Sequence, residues 1–119
     1  MKYVAVISVL TLLFFCSSYK TANAENPLPA ENLLSLCFSK EASDKLKCQG
    51  YIQGVIDYHN LIRSLGTAPT VDFCVPKELP ITDIANLVIA YMADNEQHDS
   101  FIASPAISLA LYEQFPCSK

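Results

Sequence analysis

The sequence predicts an all-α fold, a small bundle of about four main helices stapled by disulfides. Three observations carry that prediction. Apolar residues recur at three- and four-residue steps in four separate stretches, the spacing that gathers them on one helix face. Gly66 and the prolines punctuate the chain between those stretches or at their first turns. Beyond the leader lie Cys37, Cys48, Cys74 and Cys117, an even count that favours two bridges in a short exported chain.

The leader is set apart by composition. Met1-Lys2 gives a positive start, Val4 to Phe15 is almost wholly apolar, and Ala22-Asn23-Ala24 places small residues at a cleavage site. Residues 1–24 therefore read as a secretory signal peptide. The apolar run is too short to span a bilayer. Phe15 before Cys16 is too bulky for a lipoprotein site. Residues 25–119, 119 − 24 = 95 in number, form a single domain. No membrane insertion of this mature chain is expected.

The first helix is predicted over about Ala30 to Phe38, entered through Pro29 at its first turn. Leu33, Leu34 and Cys37 should face inward. The second and central helix runs from near Asp44 to near Leu65 and stops at Gly66. Cys48, Tyr51, Ile52, Val55, His59 and Ile62 share one of its faces. Gly50 and Gly54 lie one turn apart on an adjacent strip. Each glycine costs roughly 1 kcal/mol against Ala, so another backbone is expected to approach there.

Thr67 to Pro76 cannot be helix interior, because Pro69 and Pro76 push their predecessors into extended geometry. It reads as an ordered loop pinned by Phe73 and Val75. Thr82 is the expected N-cap of the third helix, with Asp83 in its first turn. That helix runs to about Ala93, with Ile84, Leu87, Val88, Tyr91 and Met92 as its apolar stripe. Asp94 to Ser100 is a polar break, after which Phe101 and Ile102 dock on the core. Ser104 caps the fourth helix and Pro105 opens it. Ile107, Ala110, Leu111 and Phe115 face in, and Pro116 ends it.

Four cysteines allow three connectivities, and spacing alone does not choose. Helix geometry favours Cys37–Cys48 and Cys74–Cys117. A short link makes the first two helices antiparallel neighbours, which brings Cys37 to Cys48. An antiparallel third and fourth helix would likewise bring Cys74 to Cys117.

Charge narrows the partner. Without the leader, six Lys and Arg stand against twelve Asp and Glu, a formal charge of 6 − 12 = −6. Such a surface repels phosphate backbones, so nucleic acid is not an expected partner. A basic partner would be met faster. No metal or cofactor is expected, since no Cys-x-x-Cys pair exists and neither histidine has ligand spacing to a cysteine. No nucleophile elbow, phosphate loop or zinc-protease motif is present. Asp57 and His59 point to different sides of a helix. His59 reads as a core residue and His98 as a solvated one. The chain is expected to bind, not to catalyse.

The motif series then resembles a family. Leu34-x-x-Cys37 is followed by Cys48-x-Gly-Tyr-Ile-x-Gly-Val-x-Asp57, Phe73-Cys74-Val-Pro76, a Thr82-led helix, Ala110-Leu111 and Phe115-Pro116-Cys117. In that order these are similar to the Rap/Tai family of bacterial periplasmic immunity proteins, over most of the mature chain. The chain departs from the family pattern at Tyr58 and at Asn95-Glu96, positions that bear on which toxin it meets. The resemblance implies a periplasmic immunity protein that blocks the cleft of a type VI secreted peptidoglycan amidase, often as a homodimer. A periplasmic helical chaperone or an envelope-assembly module is the competing expectation. The two irregular loops are the expected partner-binding segments. Their candidate contacts are Thr70 and Asp72 in the first, and Asp94, Asn95, Glu96, Gln97, His98 and Asp99 in the second.

Overall fold

A computed structural model describes residues 26–118. The leader assigned to residues 1–24 lies outside them. The described residues form four α-helices in order: α1 (Ala30–Phe38), α2 (Ala42–Ser64), α3 (Ile81–Asp94) and α4 (Ala103–Gln114). A short 3-10 turn, Glu96–His98, separates the last two. All four helices pack on one another, with α2 beside α1 and α3 beside α4. The all-α expectation holds.

Helix α2 is the longest, 23 residues, or about 34 Å at 1.5 Å per residue. Cys48, Ile52, Ile56 and His59 are its buried residues. Tyr51 and Val55 pack partly buried beside them. Its start is organised from outside the helix. Ser39 Oγ accepts the Glu41 backbone N–H at 3.1 Å and donates to Asp44 Oδ2 at 3.0 Å. Lys47 Nζ donates to Asp44 Oδ1 at 2.9 Å. Gly66 ends the helix with φ +77°, a conformation that only glycine adopts at little cost.

Leu33 of α1, Val88 and Met92 of α3, and Ile107 and Leu111 of α4 complete the core. Phe73, from the loop after α2, inserts into it at 1 % exposure. The loop is thus pinned as its sequence predicts, and Val75 packs at the edge. The loop also finds a partner in the C-terminus. Phe73 bridges Pro116, and the Cys74 N–H donates to the Phe115 carbonyl at 2.8 Å.

Both predicted bridges are present, Cys37–Cys48 and Cys74–Cys117. The first ties α1 to α2. The second ties the loop to the end of the chain. Their burial differs, since Cys48 is 2 % exposed and Cys74 lies at the surface.

Several boundaries and placements differ from expectation. Thr82 does not cap α3, because Pro80 does so in extended geometry and its carbonyl accepts the N–H groups of Asp83 and Ile84. Ser104 does not cap α4, which starts at Ala103 behind an extended Ile102. Pro105 is then its third residue, still within the turn whose N–H groups lack helical partners. Phe101 and Ile102 stay exposed and dock through their backbone. Ala30 N–H donates to the Phe101 carbonyl and Ala103 N–H to the Leu28 carbonyl, both at 2.8 Å. Leu87, placed on the inward stripe of α3, is instead 37 % exposed, and Ala85 is buried.

Candidate functional site

The glycines on α2 lead to the site. Among the described residues, no backbone outside α2 approaches them. A Cβ built on Gly50 or Gly54 meets none of the described residues beyond its own helix turn within 4 Å. They form part of the floor of an open groove of about 1030 Å³. Tyr58, two-thirds exposed, continues the floor along α2. Thr67, Pro69 and Val71 make one wall, and Ser104, Pro105 and Ser108 of α4 make the other. The lining is apolar apart from a few hydroxyls and His59. Leu61 and Leu65 extend the apolar surface of α2 outward, at 53 % and 70 % exposure.

The Thr67 wall is held by a small polar cluster. His59 lies flat on the Phe73 ring. Its Nε2 is 3.1 Å from Asp72 Oδ1 and 3.3 Å from the Phe73 backbone nitrogen. A bare Nε2 would accept from the Phe73 N–H, whereas a protonated Nε2 donates to Asp72. Arg63 Nε reaches the same Asp72 oxygen at 3.2 Å, and its Nη1 donates to Cys74 Sγ at 3.0 Å. His59 and Arg63 are one turn apart on α2, so a single loop carboxylate can meet both.

The other wall follows directly on the acidic turn. Asp94, Glu96 and Gln97 are exposed there, and Asp99 is half-buried. The turn is braced from within. Asn95 Nδ2 donates to the Tyr91 carbonyl at 2.7 Å, Gln97 Nε2 to Asn95 Oδ1 at 3.0 Å, and the Glu31 N–H to the Asp99 carbonyl at 3.3 Å. His98 is not solvated as expected. It stacks between Tyr91 and Phe101, with centroids 5.9 and 5.1 Å away, and its Nδ1 is buried with no hydrogen-bond partner among the described residues. Burial pushes the Tyr91 phenol above its ordinary value, and Glu113 adds to the shift.

Of the sequence candidates, Asp72 is half-buried in the His59–Arg63 cluster, and Thr70 stands exposed beside it. The residues 94–99 gather in one turn at the end of α3. Sequence reasoning missed Arg63, although its four-residue spacing from His59 was readable. It also read Gly50 and Gly54 as internal packing. Among the described residues nothing packs against them.

A disulfide-tied helical body with an open apolar groove and a braced acidic turn is a domain built to present surface to another molecule. The model of the Rap1a immunity proteins matches residues 30–117, and the chain belongs to that family. Membership implies immunity against a type VI effector in a family that is generally non-catalytic and typically periplasmic. No curated protein and no solved structure gives a match. Among the described residues no helix is long and apolar enough to cross a membrane.

Proposed function

We propose that this protein is a periplasmic immunity protein that binds a type VI secreted peptidoglycan amidase and blocks its active-site cleft. The observation that carries the reading is the family match over residues 30–117. The braced turn at Asp94–Asp99 supports it, because a rigid loop loses little freedom on entering a groove. The amidases met by such proteins are cysteine–histidine hydrolases that cut peptide stems of the cell wall. A loop seated over that dyad excludes the stem by volume alone, and the immunity protein performs no chemistry. A homodimer would present two such turns.

Co-expression tests the reading. A periplasmic amidase from the neighbouring gene should lyse cells alone and spare them when this protein is exported beside it. The two should co-elute. Continued lysis without co-elution would remove the reading. The open apolar groove favours one second reading, an envelope chaperone or assembly module. That function predicts suppressed aggregation of unfolded envelope proteins in the absence of any amidase.

A further inference from the structure

We propose that Cys74–Cys117 is a reducible latch on the groove wall, opened selectively by an external dithiol, and that Arg63 sets its reactivity. The proposal goes beyond the immunity reading and does not depend on which partner the groove meets.

The two bridges differ in exposure at one end and in the group beside the departing sulfur. Reduction needs a thiolate to reach a sulfur, and it runs faster when the departing sulfur is stabilised as an anion. Cys48 is 2 % exposed in the core, so the Cys37–Cys48 bond is shielded at one end. Cys74 is exposed and Cys117 half-buried at the chain end. Among the described residues, Cys74 is the bridged sulfur that accepts a side-chain hydrogen bond from a cation, with Arg63 Nη1 at 3.0 Å from its Sγ. A neutral disulfide sulfur gains little from that guanidinium, whereas a departing thiolate gains a charge-assisted hydrogen bond.

The chemistry balances with a dithiol as reductant. One thiolate of the dithiol attacks Cys117 Sγ, and the S–S bond breaks. The electron pair leaves with Cys74 Sγ, which faces Arg63. The second thiol of the reductant then loses its proton and attacks its own sulfur in the mixed disulfide. Cys117 departs as a thiolate and takes up a proton. The reductant ends as a disulfide, having supplied two electrons, and the protein ends with two reduced cysteines.

Opening the latch softens one wall of the groove without dissolving the core. Phe73 is held by the core, and the Cys74 N–H donates to the Phe115 carbonyl, contacts that do not run through the sulfur bond. What is lost is the covalent tie between the loop and the chain end. Asp72 opposes the effect of Arg63, since its carboxylate occupies the Nε side of the same guanidinium at 3.2 Å. The two residues should therefore move the rate in opposite directions.

The experiment is timed reduction of the purified protein by dithiothreitol at neutral pH, with alkylation and peptide mass spectrometry. Cys74–Cys117 should open at least tenfold faster than Cys37–Cys48. Arg63→Gln should slow that opening at least threefold, Arg63→Lys should keep more than half the rate, and Asp72→Asn should speed it. Mere loosening of the loop would make both Arg63→Gln and Asp72→Asn faster, so a faster Arg63→Gln overturns the proposal. Simultaneous opening of both bridges overturns it too. Hydrogen exchange on the singly reduced protein should rise further over residues 67–76 and 115–117 than in α1 to α4, whose amides gain only the uniform increase that follows from the lost loop-closure entropy. Exchange that rises equally everywhere, or nowhere, would also end the case for a latch. Should Arg63→Gln fail to fold, the Cys117→Ser chain still decides. Its Cys74 should alkylate at least threefold more slowly when salt is raised to screen the guanidinium, and an unchanged rate refutes the role of Arg63.

Discussion

His59 lies on Phe73 with ring centroids 3.7 Å apart and planes 15° from parallel. This contact joins the central helix to the loop that walls the groove. It is made by a residue of α2 and one 14 positions later, across the Gly66 turn. Phe73 is 1 % exposed and His59 7 %, so the loop is an extension of the core. Truncating the anchor should cost what a core aromatic costs. Phe73→Ala is expected to destabilise by about 3–5 kcal/mol, read as a fall in urea midpoint at constant slope. A loss under about 1 kcal/mol would mean that the loop is not held by its aromatic.

The glycines give a prediction of opposite sign. None of the described residues beyond the local helix turn lies within 4 Å of a Cβ at Gly50 or Gly54, and both sit inside α2. Gly54→Ala should therefore stabilise by roughly 0.5–1 kcal/mol, through helix propensity alone. Thermal unfolding of the single and double alanine variants measures it. Destabilisation would show that these positions touch something within the folded chain.

The bridges should be unequal in stability as well as in reactivity. Cys37–Cys48 closes a separation of 11 residues and Cys74–Cys117 one of 43. Chain entropy assigns about 3 kcal/mol to the shorter and about 4 kcal/mol to the longer. Paired serine substitutions at each bridge should reproduce that order in denaturant titrations. The reverse order would show that native-state contacts, not loop closure, decide.

Much of this architecture was legible because local and global signals agree. The range of α1, the Gly66 stop, the burial of Phe73 and both disulfide pairings follow from periodicity, turn chemistry and helix direction. What was not legible depends on long-range geometry. The N-caps shifted because Pro80 and Ile102, in extended backbone, enter their helices without a side-chain cap. His98 looked solvated in a polar run, yet Tyr91 and Phe101 close over it. The groove could not be read at all. A glycine pair on a helix looks the same in sequence whether a neighbour fills the space or leaves it open.

The start of α2 should respond to acid through Asp44. Its hydrogen bond from Lys47, aided by that from Ser39, holds the carboxyl below its ordinary value of 3.8. A depressed folded value means that the contribution is present above 3.8 and is lost as pH falls through the folded value. Carbon-detected titration of Asp44 should show a midpoint below 3.8, and Lys47→Ala should move it upward. An unmoved midpoint would assign the shift to Ser39.

The acidic turn and the groove make separable predictions about the effector. Asp94 and Glu96 are exposed, and Asp99 is half-buried with its backbone carbonyl tied to Glu31. Reversing Asp94 and Glu96 to Lys changes surface charge without touching a core contact. If the turn enters the amidase, the double variant should lose at least about tenfold in affinity, about 1.4 kcal/mol. Much of that loss should fall in the association rate and shrink at high salt. Bulk placed on the groove floor, as Gly54→Leu, should leave that binding intact. If Gly54→Leu abolishes binding while the double lysine variant binds normally, the effector seats in the groove and the turn is only a connection. Surface plasmon resonance at two salt concentrations, with helix content checked for each variant, distinguishes the two outcomes.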